Sequence, residues 1–467
     1  MSPEPSETRR RALASIRRHG WNSTSFQTLE PGFDYWFDGD DACVGYVDTG
    51  AAWVAAGAPI APAERLAEVA ASFAAAARAQ GRRACCFGTE ARFEAIVGWP
   101  SLRIGDQPVW APDEWEAGLR ASRSLREQLR RARAKGVAVR ELGRDELAPG
   151  HAVRARLEAL IARWLATRPI APMGFLVQLD PFSIPEEKRT FVAEWEGAIV
   201  GFLSVIPVYA RGGWFFEDLL RDPGAPNGTT ERIVDAGMRA AAAAGVRQVT
   251  LGLAPLAGEV PRWLRFTRRW SRPLYDFEGL HAFKAKLKPR AWEPIYLSYP
   301  HGASGLRALG DTLTAFARGG LLRFGVETLL RGPSIVVRAL AAALVVWTLL
   351  LALPASARWF PSPAWQWGWV GFDVLLGIAL FALARRWHHG LATALAIVVG
   401  ADALATAAEV LLYNVPRVRA PGDWLVLALA VGAPSAAAVL LWHARAHRQV
   451  LGRGPARPRP AASAAPP

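Results

Sequence analysis

Lysine is almost missing from this chain. Of its 55 basic residues 50 are arginine, and only Lys135, Lys188, Lys284, Lys286 and Lys288 remain. Cysteine is equally sparse: Cys43 and the vicinal Cys85 and Cys86 cannot build a disulfide framework and lack metal-site spacing. A reducing, cytosolic compartment and no bound metal are therefore expected. Charged residues make up 21% against 51% hydrophobic, which excludes a disordered tail protein, and 467 residues exclude a short secreted scaffold. The opening MSPEPSETRRRALASIRRHG is charged and has no apolar stretch, so no signal peptide is expected.

What is present is arginine, alanine and tryptophan. A net charge of +14 favours anionic partners: nucleic acid, acidic lipid or a phosphorylated substrate. Twenty tryptophans outnumber seven tyrosines, and several stand where a membrane interface would hold them. Beyond residue 330 the character changes. Ala339–Ala357 and Trp424–His443 carry no Asp, Glu, Lys or Arg, Trp365–Ala384 carries Asp373 alone, and Leu391–Tyr413 carries Asp402 and Glu409. Each run is long enough for a hydrocarbon core that takes about 20 helical residues, so four transmembrane helices are predicted. The first connection holds Arg358 and the third Arg417 and Arg419. The second holds Arg385, Arg386, His388 and His389, and the tail is rich in arginine. The positive-inside rule then places both termini and the globular region in the cytoplasm, at an inner membrane. Asp373, Asp402 and Glu409 are either functional groups or polar contacts between helices.

The chain divides into a basic N-terminal segment (1–20), two α/β domains (21–145 and 146–300), a juxtamembrane linker (301–334), the membrane helices (335–444) and a disordered basic tail (445–467). The two domains come from an internal repeat. Residues 57–90 align without gaps on 221–254, so that Pro59, Ala61, Pro62, Gly81, Arg83 and Gly88 meet Pro223, Ala225, Pro226, Gly245, Arg247 and Gly252. Each copy reads as turn, alanine-rich helix, glycine stop and short strand. Asp218 and Arg221 face Val54 and Gly57 of the first copy, which points to chemistry in the second copy only.

The segment FFEDLLRDPGAPNGTTERIVDAGMRAAAAAG (215–245) reads as strand, loop and helix, with Asp218 and Arg221 at the strand end. The loop resembles the pyrophosphate cradle of an acetyltransferase, but Pro223 and Pro226 remove amide donors that coenzyme A would need. No cofactor is expected. Asp218 and Arg221 could equally be a local ion pair. Lys284, Lys286 and Lys288 alternate with Phe283, Ala285 and Leu287, which predicts a half-buried strand with three ammonium groups on one side. They are candidate ligands for phosphate or a developing oxyanion, or else a solvated strand face. Residues 120–135 form a helical segment carrying Arg126, Arg130 and Arg133. Arg262, Arg265, Arg268, Arg269 and Arg272 interleave with Trp263, Phe266 and Trp270. Both stretches suit a phosphate backbone or anionic headgroups.

These strings resemble the C-terminal synthase domain of the phosphatidylglycerol lysyltransferases, the multiple peptide resistance factor family. The resemblance rests on FGTE (87–90), LREQLRRARAKGV (125–137), FEDLLRDPGAPNG (216–228), VTLGLAPLAG (249–258) and YDFEGLHAFKAKLKPRAWEPIYLSYP (275–300). It implies tandem GNAT-like acyltransferase domains and transfer of an amino acid from aminoacyl-tRNA to a hydroxyl of phosphatidylglycerol. Asp218 is then the amine ligand or base, Arg221 the phosphate ligand, and Lys284 and Lys286 ligands of phosphate or oxyanion. Asn227 and Lys288 complete the substrate contacts. Family members carry a large membrane domain before the synthase domain, whereas here the apolar helices follow it, so no flippase role is implied. Transfer to a peptidoglycan precursor, and a non-catalytic membrane protein that binds tRNA or anionic lipid, remain as alternatives.

Overall fold

The computed structural model describes residues 7–168, 171, 173–265, 276–318, 320–331 and 333–452. Phe266, Arg268, Arg269, Trp270 and Arg272 of the second basic stretch, and the tail beyond 452, lie outside the described residues. The chain forms two compact units, one of residues 1–166 with 172–324, the other of 167–171 with 325–467.

The first unit is built on one mixed twelve-stranded sheet. Its strands are β1 Asp34–Asp38, β2 Ala42–Asp48, β3 Ala52–Ala56, β4 Arg83–Glu90, β5 Ser101–Trp110 and β6 Ala138–Glu141. The remaining six are β7 Arg189–Trp195, β8 Ala198–Val208, β9 Gly213–Arg221, β10 Gln248–Thr250, β11 Ala254–Pro255 and β12 Ala291–Ser298. The order across the sheet is β1-β2-β3-β4-β12-β5-β10-β9-β8-β7-β6, with β11 beside β5. Only β3 with β4 and β9 with β10 run parallel. These are the two repeat copies. Each parallel pair is joined by an alanine-rich helix, Leu66–Ala79 in the first and Thr229–Ala243 in the second. Gly81 and Gly245, equivalent in the repeat, follow the two helices at φ 70° and 67°, a left-handed geometry in which a side chain would be strained.

The helices dock through one face each. Leu66, Val69, Ala70, Phe73 and Ala77 are buried in the first copy, and Ile233, Val234, Met238 and Ala241 in the second. Burying each large apolar side chain contributes roughly 1.5–3 kcal/mol, while the alanines let helix and sheet approach closely. The halves also exchange segments across residue 145. β12, late in the chain, lies between β4 and β5, and the helix Arg123–Ala134 packs on the helix Thr229–Ala243 of the second copy.

Two sequence expectations change here. The lysine-bearing segment is not a strand: Phe277–Lys286 is a helix, and β12 begins only after Pro289. The Asp276 carboxylate caps this helix by accepting from the Gly279 N–H at 2.9 Å, and Phe283 and Leu287 meet the core as an i,i+4 pair. Six residues of alternation fit both periods, and the cap decides. The basic segment 120–135 is also not one helix. Trp115–Ala121 ends at Ser122, which caps a second helix, Arg123–Ala134.

The second unit is helical. Pro363–Arg385, His389–Arg417 and Pro421–Arg445 are long and apolar enough to cross a membrane. The first of the four expected spans is shorter. Its helix, Pro333–Leu351, stops before Pro354, which opens a 3₁₀ turn. Val337, Leu376, Leu380, Leu395, Val399 and Leu441 form the common core. Leu375, Leu404, Leu412 and Val439 point outward and are more than two-thirds exposed. Helices that are apolar inside and out need lipid as solvent, and the chain is membrane-associated.

Candidate functional site

β9 carries the site because it is irregular. Ser204 of β8 pairs with Asp218 and Val205 with Phe216, which leaves Glu217 as the extra residue of a β-bulge. Side chains normally alternate between faces. Phe216 and Leu219 join the core under the helix Thr229–Ala243, whereas Leu220 joins the core on the opposite face. The bulge puts Glu217 on the same face as Asp218, where Lys188 of the segment leading into β7 meets it.

On that face Lys188 Nζ lies 3.5 Å from the Glu217 carboxylate, with both side chains at most 3% exposed. The ammonium also donates to the Asp180 carbonyl at 2.6 Å. Glu30, from the first half, completes the cluster. Burial works against the Lys188 charge, but Glu217, Glu30 and Asp218 outweigh it and hold the ammonium above its ordinary pKa. Burial, then the Glu217 charge, pushes both Glu30 and Asp218 well above the carboxylate range, with Lys188 pulling the other way. Three buried carboxyl groups, with Asp180 nearby, thus face one cation. Both oxygens of Glu30 and of Glu217, Asp218 Oδ2 and the hydroxyls of Thr190 and Ser204 are buried with no hydrogen-bond partner among the described residues. A cavity of about 490 Å³, lined by Glu141, Arg144, Glu187, Arg189 and Tyr209, shares Lys188 and Thr190 with this cluster.

Arg221 stands apart from Asp218. Three regular positions further along β9, opposite Gly201, it shares the parity of Leu219 and so leaves the other face of the sheet. The two residues form neither a local ion pair nor one compact constellation. Beyond Arg221 the loop turns two of its own amides inward. Gly224 N–H donates to the Asp222 carboxylate at 2.9 Å, Ala225 N–H to the Asp222 carbonyl at 3.0 Å, and Pro223 and Pro226 have none to offer. The positive end of the helix Thr229–Ala243 already holds a carboxylate, the buried Glu231 of its first turn. Asn227 is exposed on the loop.

The three lysines separate. Lys284 is buried, and its ammonium donates to the carbonyls of Leu251, Gly252 and Leu253 at 2.8, 2.9 and 2.9 Å. Those bonds use all three of its hydrogens, and burial pulls its pKa down to about 7. Lys286, about 200° around the helix, pairs with Glu231 at 2.7 Å and donates to Gln128. Lys288 is exposed in a left-handed turn at φ 55°. On the helix Arg123–Ala134, Leu125, Leu129 and Ala132 face the core and leave Arg126, Arg130 and Arg133 in solvent. Arg126 donates to the Leu119 carbonyl, and Arg130 pairs with Glu127.

Sequence reasoning missed Glu30, Lys188 and Glu217. Lys188 had a signal, as a lysine kept in an arginine-rich chain. Glu30 had none, because only packing between distant segments brings it to Glu217. Also missed was a second buried ionic group, in which Arg211 pairs with Glu90 of FGTE at 2.7 Å and with Glu293 at 2.9 Å. Burial raises Glu90 to about 7, although Arg211 opposes the shift. Among the described residues no three His, Cys, Asp or Glu side chains are placed to hold a metal ion.

The sequence profile described as "Phosphatidylglycerol lysyltransferase, C-terminal" matches residues 13–299. A lysylphosphatidylglycerol biosynthesis bifunctional protein of Mycobacterium sp. (strain KMS) is 27% identical over 232 residues, covering 44% of this chain and 20% of that protein. A phosphatidylglycerol lysyltransferase of Bacillus subtilis (strain 168) is 33% identical over 156 residues, 31% of this chain and 17% of its own length. The chain therefore spans about a fifth of these curated relatives. Two solved structures share the fold. The C-terminal domain of a putative lysylphosphatidylglycerol synthetase from Agrobacterium fabrum superposes with TM-score 0.58 at 23% identity, covering 68% of this chain and 99% of that one. L-PGS from Bacillus licheniformis superposes with TM-score 0.56 at 19% identity, covering 68% and 98%. With more than half its length matched by the profile, the chain belongs to the phosphatidylglycerol lysyltransferase C-terminal domain family.

Proposed function

We propose that this chain transfers an aminoacyl group from aminoacyl-tRNA to a hydroxyl of phosphatidylglycerol at the cytoplasmic face of the inner membrane, anchored by four membrane-crossing helices. The observation that carries the reading is the under-neutralised cluster of Glu30, Glu217 and Asp218 around Lys188, with its partnerless buried oxygens. An aminoacyl ester brings an ammonium group of the right sign for it. That charge takes the place of the protons the buried carboxyls hold, and leaves Asp218 ionised next to the reacting ester. The lipid hydroxyl oxygen then bonds to the ester carbonyl carbon, and the bond to the tRNA ribose oxygen breaks. The hydroxyl proton passes through Asp218 to the departing ribose oxygen. Family membership supplies the acceptor class, since the matched relatives are named for lysylphosphatidylglycerol synthesis.

The other residues divide the work. Arg221, partly exposed and without an ion-pair partner among the described residues, is the phosphate ligand, with Asn227 and Lys288 on the exposed rim. Lys284 acts as a positioning residue that holds the chain after β10. Lys286 holds Glu231 at the start of the helix behind the loop. Arg126, Arg130 and Arg133 hold the tRNA backbone. A loop whose Gly224 and Ala225 amides are used internally, ahead of a helix end holding Glu231, supports a donor other than coenzyme A. The test is full-length protein in phosphatidylglycerol vesicles with labelled aminoacyl-tRNA. Labelled lipid should form and should vanish after ribonuclease treatment. Transfer from an acyl-coenzyme A that survives ribonuclease would overturn the assignment.

A further inference from the structure

Within the helical unit, a cavity of about 330 Å³ opens among the helices Pro333–Leu351, Pro363–Arg385, His389–Glu409 and Pro421–Gly452. Asp373, Asp402 and Glu409 all line it, and no Lys, Arg or His does among the described residues. Apart from Thr406 and Asn414, its remaining wall is aliphatic and aromatic, with Trp347, Trp359 and Trp369 prominent. The carboxylates are only lightly satisfied. Glu409 accepts from the indole N–H groups of Trp365 and Trp369 at 3.1 and 3.0 Å, and Asp402 from the Thr406 hydroxyl at 3.3 Å. Thr348 lies 3.5 Å from Asp373.

Three features separate this cavity from a gap between helices. Asn414 lines it, is 6% exposed, and its Oδ1 has no hydrogen-bond partner among the described residues. The turn Val410–Asn414, directly after Glu409, is π-helical, a winding concentrated at functional positions. Pro434 lies inside the last helix at the cavity wall and cannot donate to the carbonyl of Ala430, another lining residue. A bare metal ion is a poor match, because no three acidic, His or Cys side chains among the described residues converge closely enough to hold one. Carboxylates spread along an apolar, tryptophan-rich wall suit an organic cation, which takes charge from the carboxylates and contact from the ring faces.

We propose that this cavity binds an ammonium group carried on an apolar chain, a cationic amphiphile reaching it from the bilayer. The site does not depend on the transfer reaction proposed above, so either can fail without the other. The probe is 11-bromoundecyl-trimethylammonium, whose bromine quenches tryptophan, added to the full chain in a neutral detergent. Saturable quenching is expected at a concentration about tenfold or more below that needed with 11-bromoundecanol, which has the same tail and no charge. Asp402→Asn and, separately, Glu409→Gln should each weaken the ammonium probe by about tenfold and leave the alcohol unchanged. Glu409→Gln keeps an acceptor for only one of the two tryptophans, whereas Asp402→Asn keeps the acceptor for the Thr406 hydroxyl and so reads charge rather than folding. Methylammonium chloride, which has no tail, should compete only at far higher concentration. Equal quenching by the alcohol, full affinity in both variants, or displacement by methylammonium at matched concentration would each overturn the proposal.

Discussion

Glu217 and Asp218 are consecutive in the chain, yet both leave β9 on one face because the bulge gives Glu217 no partner on β8. A regular strand would have turned Glu217 toward the helix Thr229–Ala243, into an apolar core with no cation for it. The bulge instead delivers two acids to Lys188 and leaves the cluster short of positive charge. A site poised in this way should respond to both pH and substitution.

Asp218→Asn keeps the shape and removes the charge. Transfer should fall by about 10²–10⁴, the usual contribution of a positioned acid or base. The raised pKa of Asp218 gives a second readout. An acid held above its unfolded value contributes stability that is complete below that value and lost as pH rises through the folded one. Asparagine cannot ionise. The stability of Asp218→Asn relative to the unchanged chain should therefore improve as pH rises above the ordinary aspartate range of about 4. Thermal unfolding of the full chain in detergent measures this, and a difference constant with pH would remove Asp218 from the buried cluster.

Arg221 leaves the opposite face and should behave independently. Arg221→Ala should cost about 10–100-fold in kcat/KM, mostly through KM for the lipid, and Arg221→Lys should recover part of it. Because the two side chains share no partner, losses from Asp218→Asn and Arg221→Ala should add within about 0.5 kcal/mol of activation free energy. A coupling well above that would mean the two groups meet.

The repeat was legible because it is written in backbone constraints: Gly81 and Gly245 stop equivalent helices, and neither position tolerates a side chain without strain. Asp218 was legible as a charge standing where the first copy has Val54, which is fully buried. Three of the four apolar helices were legible by length, while Pro354 leaves the first shorter than expected. The cluster itself was not legible. Glu30 and Glu217 are 187 positions apart, and their meeting depends on a bulge that no local pattern announces. The lysine segment was misread because alternation over Phe283–Lys288 fits a strand as well as a helix. Only the Asp276 cap and the Phe283–Leu287 pair settle it.

Lys284 makes the misreading testable. As a clamp on three carbonyls it should matter for stability. Lys284→Met leaves the Leu251, Gly252 and Leu253 carbonyls without their donor and should cost about 1–3 kcal/mol. With its folded pKa pulled down to about 7, Lys284 binds a proton in the unfolded chain but not in the folded one at mildly alkaline pH. Its contribution to stability should rise above about pH 7, and Lys284→Met should lose that rise. If the variant is fully stable and loses only turnover, the lysine touches substrate.

The exposed arginines of the helix Arg123–Ala134 should act on tRNA through charge alone. Replacing Arg126, Arg130 and Arg133 with Gln should weaken binding and lower the log–log salt slope by about 2–3, since each neutralised phosphate contributes about 0.7–0.9. Transfer from a minimal aminoacyl ester should be unaffected. An unchanged slope would place the tRNA elsewhere.

The short first apolar helix decides the topology. If Pro333–Leu351 crosses the membrane with the three longer helices, the number of crossings is even and both ends of the chain lie on one side. The connection at 358–364 then lies outside. There Arg358 pairs with Asp423 at 2.7 Å, which leaves little positive charge to hold that loop in the cytoplasm. Reporter fusions after Pro300, within 358–364 and after Gly452 should therefore read inside, outside and inside. A 358–364 fusion that reads inside would mean the first helix does not cross. Three crossings would then carry the C-terminus out, and the fusion after Gly452 would report that reversal independently.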